Sequence, residues 1–290
     1  MLLDGKACSK LIENEVNEEV KLLSVHPKLD IVLVLENADS ETYVLLKKKA
    51  CSRVEILCDI HKLGKEVNAT EIEALIDKLN DDVNVHGILL QLPLPCTLAK
   101  HTKQLLHRID PKKDVDGLHP HHFHHLSQPR CNSDDLFLEP CTPAGCLALL
   151  DRYKIDVAGK DVVVIGRSPL VGLPLSLMLL QRNATVTICH SNTRNLQAKV
   201  KQADILVAAT GCPQLVQKHW LKENVVILDI GINYCKDTTS TKGYKIVGDV
   251  HFEDCESIAS AITPVPGGIG PMTVAMLLKN ILKCAKYAVR

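Results

Sequence analysis

Aromatic side chains are scarce, at 3% of the chain, with a single tryptophan at Trp220. Charge of either sign is not in excess: 34 basic residues face 34 acidic ones. A nucleic-acid surface needs a basic excess or stacking aromatics, so no nucleic-acid partner is expected. No apolar run approaches the roughly 18 residues of a membrane-spanning helix, and no membrane partner is expected either. The twelve cysteines contain no C-x-x-C pair and scatter from Cys8 to Cys284. Cys58, Cys189 and Cys284 lie in apolar or helical runs, where thiols act as small hydrophobes. That favours a reduced, cytoplasmic protein over a disulfide framework. An acid at Asp4, followed at once by an amphipathic segment, argues against a signal peptide.

What is present is an alternation of strand and helix patterns over 290 residues, enough for two α/β cores. Residues 8–23 place Ile12, Val16, Val20 and Leu23 on one helical stripe. Apolar runs at 30–35, 54–60 and 86–91 predict strands, with helix formers at 41–51 between the first two. Thr70-x-x-Glu73 is expected to cap a helix whose Ile72, Leu75, Ile76 and Leu79 face inward. Periodicity fails from 109 to 141, where His119, His121, His122, His124 and His125 fall in an expected loop. Their spacing fits no standard zinc site, so no metal is expected. The junction is placed near 140, with one domain over 1–140 plus 270–290 and a second, Rossmann-like, over 141–269. A ligand cleft is expected between them. The last helix, from Pro271, is expected to return to the first domain.

The second domain opens on Val162–Ile165, a short β-branched run of the kind buried on both faces of a parallel sheet. It runs into Gly166-Arg167-Ser168-Pro-Leu-Val-Gly172, then into an apolar helix after Pro174. Such a turn offers free N–H groups and a helix dipole to a phosphate. Gly-x5-Gly is not G-x-G-x-x-G, however, and an ordinary βα turn reads the same way. The next strand, Ala184–Cys189, ends at His190-Ser191-Asn192-Thr193-Arg194. No acid stands here to bind a ribose 2′-hydroxyl, whereas Ser191, Arg167 and Arg194 suit a 2′-phosphate. NADP is therefore the expected cofactor. Strands at 204–208 and 225–230 end at Gly211 and Gly231, a hairpin follows over 234–247, and a stiff loop runs from Thr263 to Gly270.

Tyr43 and Lys47 stand four apart and share a face if 41–51 is helical. A desolvated lysine there could do acid–base work, although a Lys47-Lys48-Lys49 run also reads as a solvated helix face. Gln91 ends its strand before a Pro-bounded turn, and Asp116 precedes Gly117 in a loop. Singly each reads as structural; together, at the carboxyl ends of strands, they would converge on one cleft.

Several motifs occur in order: Ser40-x-x-Tyr43-x-x-x-Lys47, Gln91-Leu-Pro-Leu-Pro95, Lys113-Asp-Val-Asp-Gly117, Pro140-Cys-Thr-Pro143, Gly166-Arg-Ser168, Gly231-Ile-Asn233, Gly248-Asp249 and Thr263-Pro-Val-Pro-Gly-Gly-x-Gly-Pro-Met-Thr273. From Asp4 nearly to the C-terminus the chain resembles the methylenetetrahydrofolate dehydrogenase/cyclohydrolase family of the FolD type. The resemblance implies a homodimer of two-domain α/β chains. It also implies NADP-dependent oxidation of 5,10-methylenetetrahydrofolate, then hydrolysis of the methenyl cation to 10-formyltetrahydrofolate. It makes Lys47 the acid/base of the hydrolysis and Gln91 its orienting partner. Tyr43, Leu90, Leu92, Asp116 and the loop Pro266, Gly267, Gly268, Ile269, Gly270 would meet the folate. Gly166, Arg167, Ser168, Ser191 and Ile232 would hold the cofactor. The chain departs from the family at Leu35 and Glu55, where glycine is usual, and at His122 and His124, which replace asparagine and glycine. A dehydrogenase lacking the hydrolase, or a non-catalytic NADP-binding redox sensor, are the alternatives.

Overall fold

The computed structural model describes residues 1–35, 38–128, 135–239 and 243–289. The chain forms two compact units, one of Lys10–Cys141 with Val274 onward, the other of Met1–Ser9 with Thr142–Thr273. We call them the lysine unit and the nucleotide unit.

The lysine unit carries α1 (Gly5–Lys21), β1 (Lys28–Val34), α2 (Ala38–Arg53), β2 (Leu57–Leu63), α3 (Ala69–Asp81), β3 (Gly87–Leu90), α4 (Thr102–Arg108) and α5 (Pro120–Ser127). Its three strands are parallel, in the order β2-β1-β3. Even-numbered residues of β1 and β3 (Val32, Val34, Ile88, Leu90) share a core with Ile72, Ile76 and Leu79 of α3 and Leu105 of α4. This is the period-2 against period-3.6 match that buries one face of a sheet under a helix.

Three boundaries differ from expectation for local reasons. The capping box is Asn68 with Glu71, not Thr70 with Glu73: Asn68 Oδ1 accepts the Glu71 N–H at 3.0 Å, and Glu71 Oε2 accepts the Asn68 N–H at 2.9 Å. Both pairings read alike in sequence, and the earlier one starts the helix. The second strand begins at Leu57, because α2 runs on to Arg53 and closes with Ile56 N–H donating to Cys51 O at 3.0 Å. Glu55 holds φ 58°, the left-handed position normally left to glycine at a helix end. The histidine run is a helix, α5, not a loop. Pro120 sits at its start and the His119 side chain caps it, accepting the His121 N–H at 3.1 Å.

The nucleotide unit follows with α6 (Cys141–Arg152), β4 (Asp161–Ile165), α7 (Gly172–Leu180), β5 (Thr185–Cys189), α8 (Leu196–Val200), β6 (Ile205–Ala208), β7 (Val226–Asp229), β8 (Asn233–Lys236), β9 (Tyr244–Val247), α9 (Phe252–Cys255) and β10 (Ala261–Ile262); α10 (Ile269–Ala288) ends the chain. Its five-stranded sheet is wholly parallel, in the order β10-β7-β6-β4-β5. The order reverses between β4 and β6, so the turn after β4 lies at a topological switch point. β8 and β9 pair antiparallel, as the hairpin pattern predicts; residues 240–242 of its tip lie outside the described residues.

The first nine residues were assigned by sequence to the other unit. They belong here because Leu3 N–H donates to Ile262 O at 2.8 Å and Leu2 bridges Ile262. Beyond Thr273, α10 belongs to the lysine unit, where Ile281 lies against Gly87 and Asn280 reaches the 115 and 139 carbonyls. No helix among the described residues is long and apolar enough to cross a membrane.

Candidate active site

On α2, Val44, Lys47, Cys51 and Val54 form one buried stripe. Lys47 is 6% exposed, whereas Lys48 and Lys49 are exposed. The three-lysine run therefore divides: two solvated side chains, and one drawn into an apolar stripe. The buried ammonium donates to Gln91 Oε1 at 3.0 Å and lies 5.3 Å from the centroid of the Tyr43 ring. Gln91 in turn is held twice. Its backbone N–H donates to Val32 O at 2.9 Å, and its Nε2 donates to Leu92 O at 2.6 Å. With the amide nitrogen committed to Leu92, the amide oxygen faces the amine. Leu90 is buried and Leu92 half-buried beside it.

Asp116 occupies a turn closed by the Gly117 N–H donating to Asp114 O at 3.0 Å. Gly117 has φ 68°, and a Cβ there would stand 2.8 Å from the backbone of Leu138, Glu139 and Pro140. Only glycine fits. From α10, Asn280 Nδ2 donates to Val115 O and to Glu139 O, both at 2.9 Å, tying the Asp116 turn to the strand of chain facing it. Sequence reading missed Asn280; a lone amide inside the apolar face of a helix was the available signal. The buried thiol of Cys141 feels both charges of this cluster. Burial drives its pKa well up, Asp116 adds to the rise, and Lys47 opposes it. Lys47, Gln91, Tyr43 and Asp116 are thus gathered in one unit around an apolar, hydrogen-bonded floor.

Asp114, the other acid of the turn, is 2% exposed, and burial lifts its pKa to about 7 against the N–H of His119, which donates to its Oδ2 at 2.7 Å. His122 lies 3.9 Å away, but this is no ion pair. Its Nε2 donates to Pro111 O at 2.9 Å and its Nδ1 accepts the Leu138 N–H at 3.3 Å, which specifies a neutral ring. Burial correspondingly pushes the His122 pKa down to about 3. The chain's departure from asparagine at this position is absorbed as a core histidine.

In the nucleotide unit, Gly166 leaves β4 at φ 124°, and a Cβ there would stand 2.2 Å from Ala209 O. A Cβ on Gly172 would stand 2.2 Å from Gly166 O. Both glycines of the Gly-x5-Gly pattern are thus required by backbone packing, and no side chain caps α7. Its first N–H groups remain for an anion. The Ser168 hydroxyl accepts the Leu170 N–H at 3.1 Å, while Arg167 is exposed. Ser191 and Arg194 are exposed in the turn after β5, which is held by His190 N–H donating to Thr193 Oγ1 at 2.8 Å. Ile232 is 48% exposed, and the Gly270 backbone approaches it. The loop 264–268 is fixed by Gly268 N–H donating to Pro264 O at 2.9 Å and by Lys6 N–H donating to Gly267 O at 3.0 Å. Gly5 is needed for that approach, since a Cβ there would stand 1.8 Å from Gly268 O.

Two buried acids, which sequence reading did not assign a role, tie the turns together. Asp249 accepts the Thr210 and Gly211 N–H groups at 2.5 and 3.1 Å and Asn233 Nδ2 at 2.9 Å. Asp229 accepts N–H groups from Gly231, Asp249 and Val250 at 2.9 to 3.0 Å. Burial lifts the Asp229 pKa to about 7, and the three donors oppose the rise.

A parallel sheet with a glycine turn at its switch point, feeding an uncapped helix, defines a nucleotide-binding α/β protein; the second unit adds a buried lysine with an amide partner. Residues 3–116 match the tetrahydrofolate dehydrogenase/cyclohydrolase catalytic domain and residues 140–289 the NAD(P)-binding domain of the same family. The chain belongs to that family. It is 46% identical over 288 residues to the bifunctional protein FolD of Geotalea daltonii, covering 98% of each chain. Among solved structures, the bifunctional FolD of Campylobacter jejuni matches at 44% identity and TM-score 0.90, over 99% of this chain and 98% of that one. The Trypanosoma brucei enzyme, complexed with NADP cofactor and inhibitor, matches at 37% identity and TM-score 0.94, over 100% and 98%.

Proposed function

We propose that this chain is a bifunctional enzyme, an NADP-dependent 5,10-methylenetetrahydrofolate dehydrogenase and 5,10-methenyltetrahydrofolate cyclohydrolase. The observation that carries the reading is the buried Lys47 amine held by the Gln91 amide oxygen in the unit that matches the catalytic domain. The glycine cradle of Gly166 and Gly172 and the uncapped start of α7 suit a pyrophosphate, so the residues present fit the cofactor. When bound, NADP supplies the hydride acceptor. Gly166, Arg167 and Ser168 would hold its phosphates, Ser191 its 2′-phosphate, and Ile232 would pack against it.

Loss of hydride from the methylene carbon leaves the methenyl cation, and this step needs alignment more than proton transfer. Pro266 to Gly270 serve that alignment, with Leu90 and Leu92 as apolar walls, Tyr43 against the pterin and Asp116 accepting its N–H groups. Hydrolysis is different in kind. Water adds to the cationic carbon and must lose a proton; then the bond from that carbon to N5 breaks and N5 takes a proton. The formyl group remains on N10. A single group that accepts the first proton and returns the second suffices, and the Lys47 amine in its neutral form is placed for it. Gln91 keeps that amine aimed without giving it a fixed counter-charge. A dehydrogenase without the hydrolase would have no use for this pair.

The reading includes a homodimer and a cytoplasmic location. The free cysteines among the described residues, mostly buried, suit a reducing compartment. A spectrophotometric assay with methylenetetrahydrofolate tests the function. NADP reduction with methenyl and then 10-formyl product is expected; no turnover with either nicotinamide cofactor overturns it.

A further inference from the structure

The histidine run of α5 takes no part in the proposed chemistry. Its sequence spacing discouraged a metal reading partly because the segment was expected to be a loop. As a helix, it places His121 and His125 four residues apart, beside the buried stripe of His122 and Leu126. Both rings are partly exposed, and their centroids are 4.8 Å apart with planes at 71°. That separation is informative. Two imidazoles sharing one ion at about 2.0–2.1 Å have ring centres about 4.6 Å apart at a right-angle bite and about 5.3 Å at a tetrahedral one. The observed spacing lies between these limits, so chelation needs rotation about side-chain bonds but no movement of backbone.

Two features hold the pair in place. His119 caps the helix through Nδ1 to the His121 N–H, and Phe137 lies 5.5 Å from the His125 ring. We infer that His121 and His125 form a bidentate site for an imidazole-preferring divalent transition ion, with water completing its coordination. Zinc, nickel and copper are ions of this class. No group of three or more His, Cys, Asp or Glu able to hold an ion occurs among the described residues, so the site is two-coordinate from protein and open. An open site of this kind can exchange its ion, and binding would staple both ends of an eight-residue helix too short to be stable alone. The inference is independent of the folate reading.

Nickel ion is the probe, titrated calorimetrically into the full chain with a phosphine reductant present. One ion per chain is expected, with affinity falling at least about tenfold in both His121→Ala and His125→Ala, because each variant removes one of two ligands. His124→Ala, exposed on the neighbouring position, should bind as the parent does. Loss in only one of the two variants, indifference to both, or no binding by the parent overturns the site. Should a variant fail to fold, the parent answers alone. Paramagnetic broadening by Ni²⁺ must strike the His121 and His125 imidazole resonances before those of the other histidines, and broadening that starts elsewhere refutes the assignment.

Discussion

Lys47 Nζ and Gln91 Oε1 meet at 3.0 Å, although one side chain comes from a helix and the other from the end of a strand 44 residues on. The Gln91 amide nitrogen is bound to the neighbouring Leu92 carbonyl, so the amide cannot turn its donor toward the amine. Gln91→Ala should therefore slow the cyclohydrolase by at least about tenfold, the equivalent of losing roughly 1.4 kcal/mol of orientation. The dehydrogenase should change less. Gln91→Glu places a carboxylate opposite the ammonium, favours its charged form, and should impair hydrolysis as much as the alanine variant. Steady-state rates for both half-reactions in each variant decide; equal loss of the two activities would argue that Gln91 shapes the pocket only.

Gly166→Ala forces a side chain into a positive-φ position and against Ala209 O. The strain alone is about 1–3 kcal/mol, and KM for NADP should rise at least about tenfold while KM for folate changes little. Gly159→Ala is the matched control, since Gly159 also has a positive φ of 70° but open space around its Cβ position. Thermal melts and NADP titrations of both variants separate strain from collision.

Arg167 lies in the turn that leaves β4, and Ser191 in the turn after β5, where no acid is available for a ribose hydroxyl. Arg167→Ala should raise KM for NADP about tenfold to a hundredfold, in line with a charge-assisted hydrogen bond of about 1.5–3 kcal/mol. KM for NAD should barely move. A similar loss for both cofactors would place the guanidinium on the shared pyrophosphate instead.

His122 is neutral in the fold, with a pKa pushed down to about 3 by burial, whereas the unfolded chain protonates it near its ordinary value of about 6.5. The unfolded state thus binds the extra proton between these values, and the contribution of His122 to stability is lost as pH falls from about 6.5 toward 3, at up to roughly 1.4 kcal/mol per pH unit. Asp114, lifted to about 7, titrates oppositely over part of this range, so the histidine is read by difference. His122→Gln should be destabilised at pH 7, because Pro111 O and the Leu138 N–H lose their partner, and the gap to the parent should narrow on acidification. Urea unfolding at pH 7, 6 and 5 measures it; a gap that widens contradicts the neutral assignment.

Much of this was readable in advance because parallel strands buried on both faces print long apolar runs, as at 162–165 and 204–208. Tyr43 and Lys47 were legible as one helical face, but only the fold separates the buried lysine from Lys48 and Lys49. The N-terminal nine residues were misplaced because the main-chain pairing of Leu3 with Ile262 leaves no side-chain pattern. Glu55 in a left-handed conformation, and six nearby residues of α5 rich in histidine, defeat propensity rules in the same way: tertiary contacts override local preference. Asp229, Asp249 and Asn280 act on backbone N–H and carbonyl groups, which no sequence motif displays.

Lys47→Met bears most directly on the account. Methionine keeps the buried stripe of α2 filled and removes the amine. The variant should still reduce NADP with methylenetetrahydrofolate, accumulate the methenyl compound, and form no 10-formyl product above the uncatalysed rate. Normal 10-formyltetrahydrofolate production by that variant would contradict it.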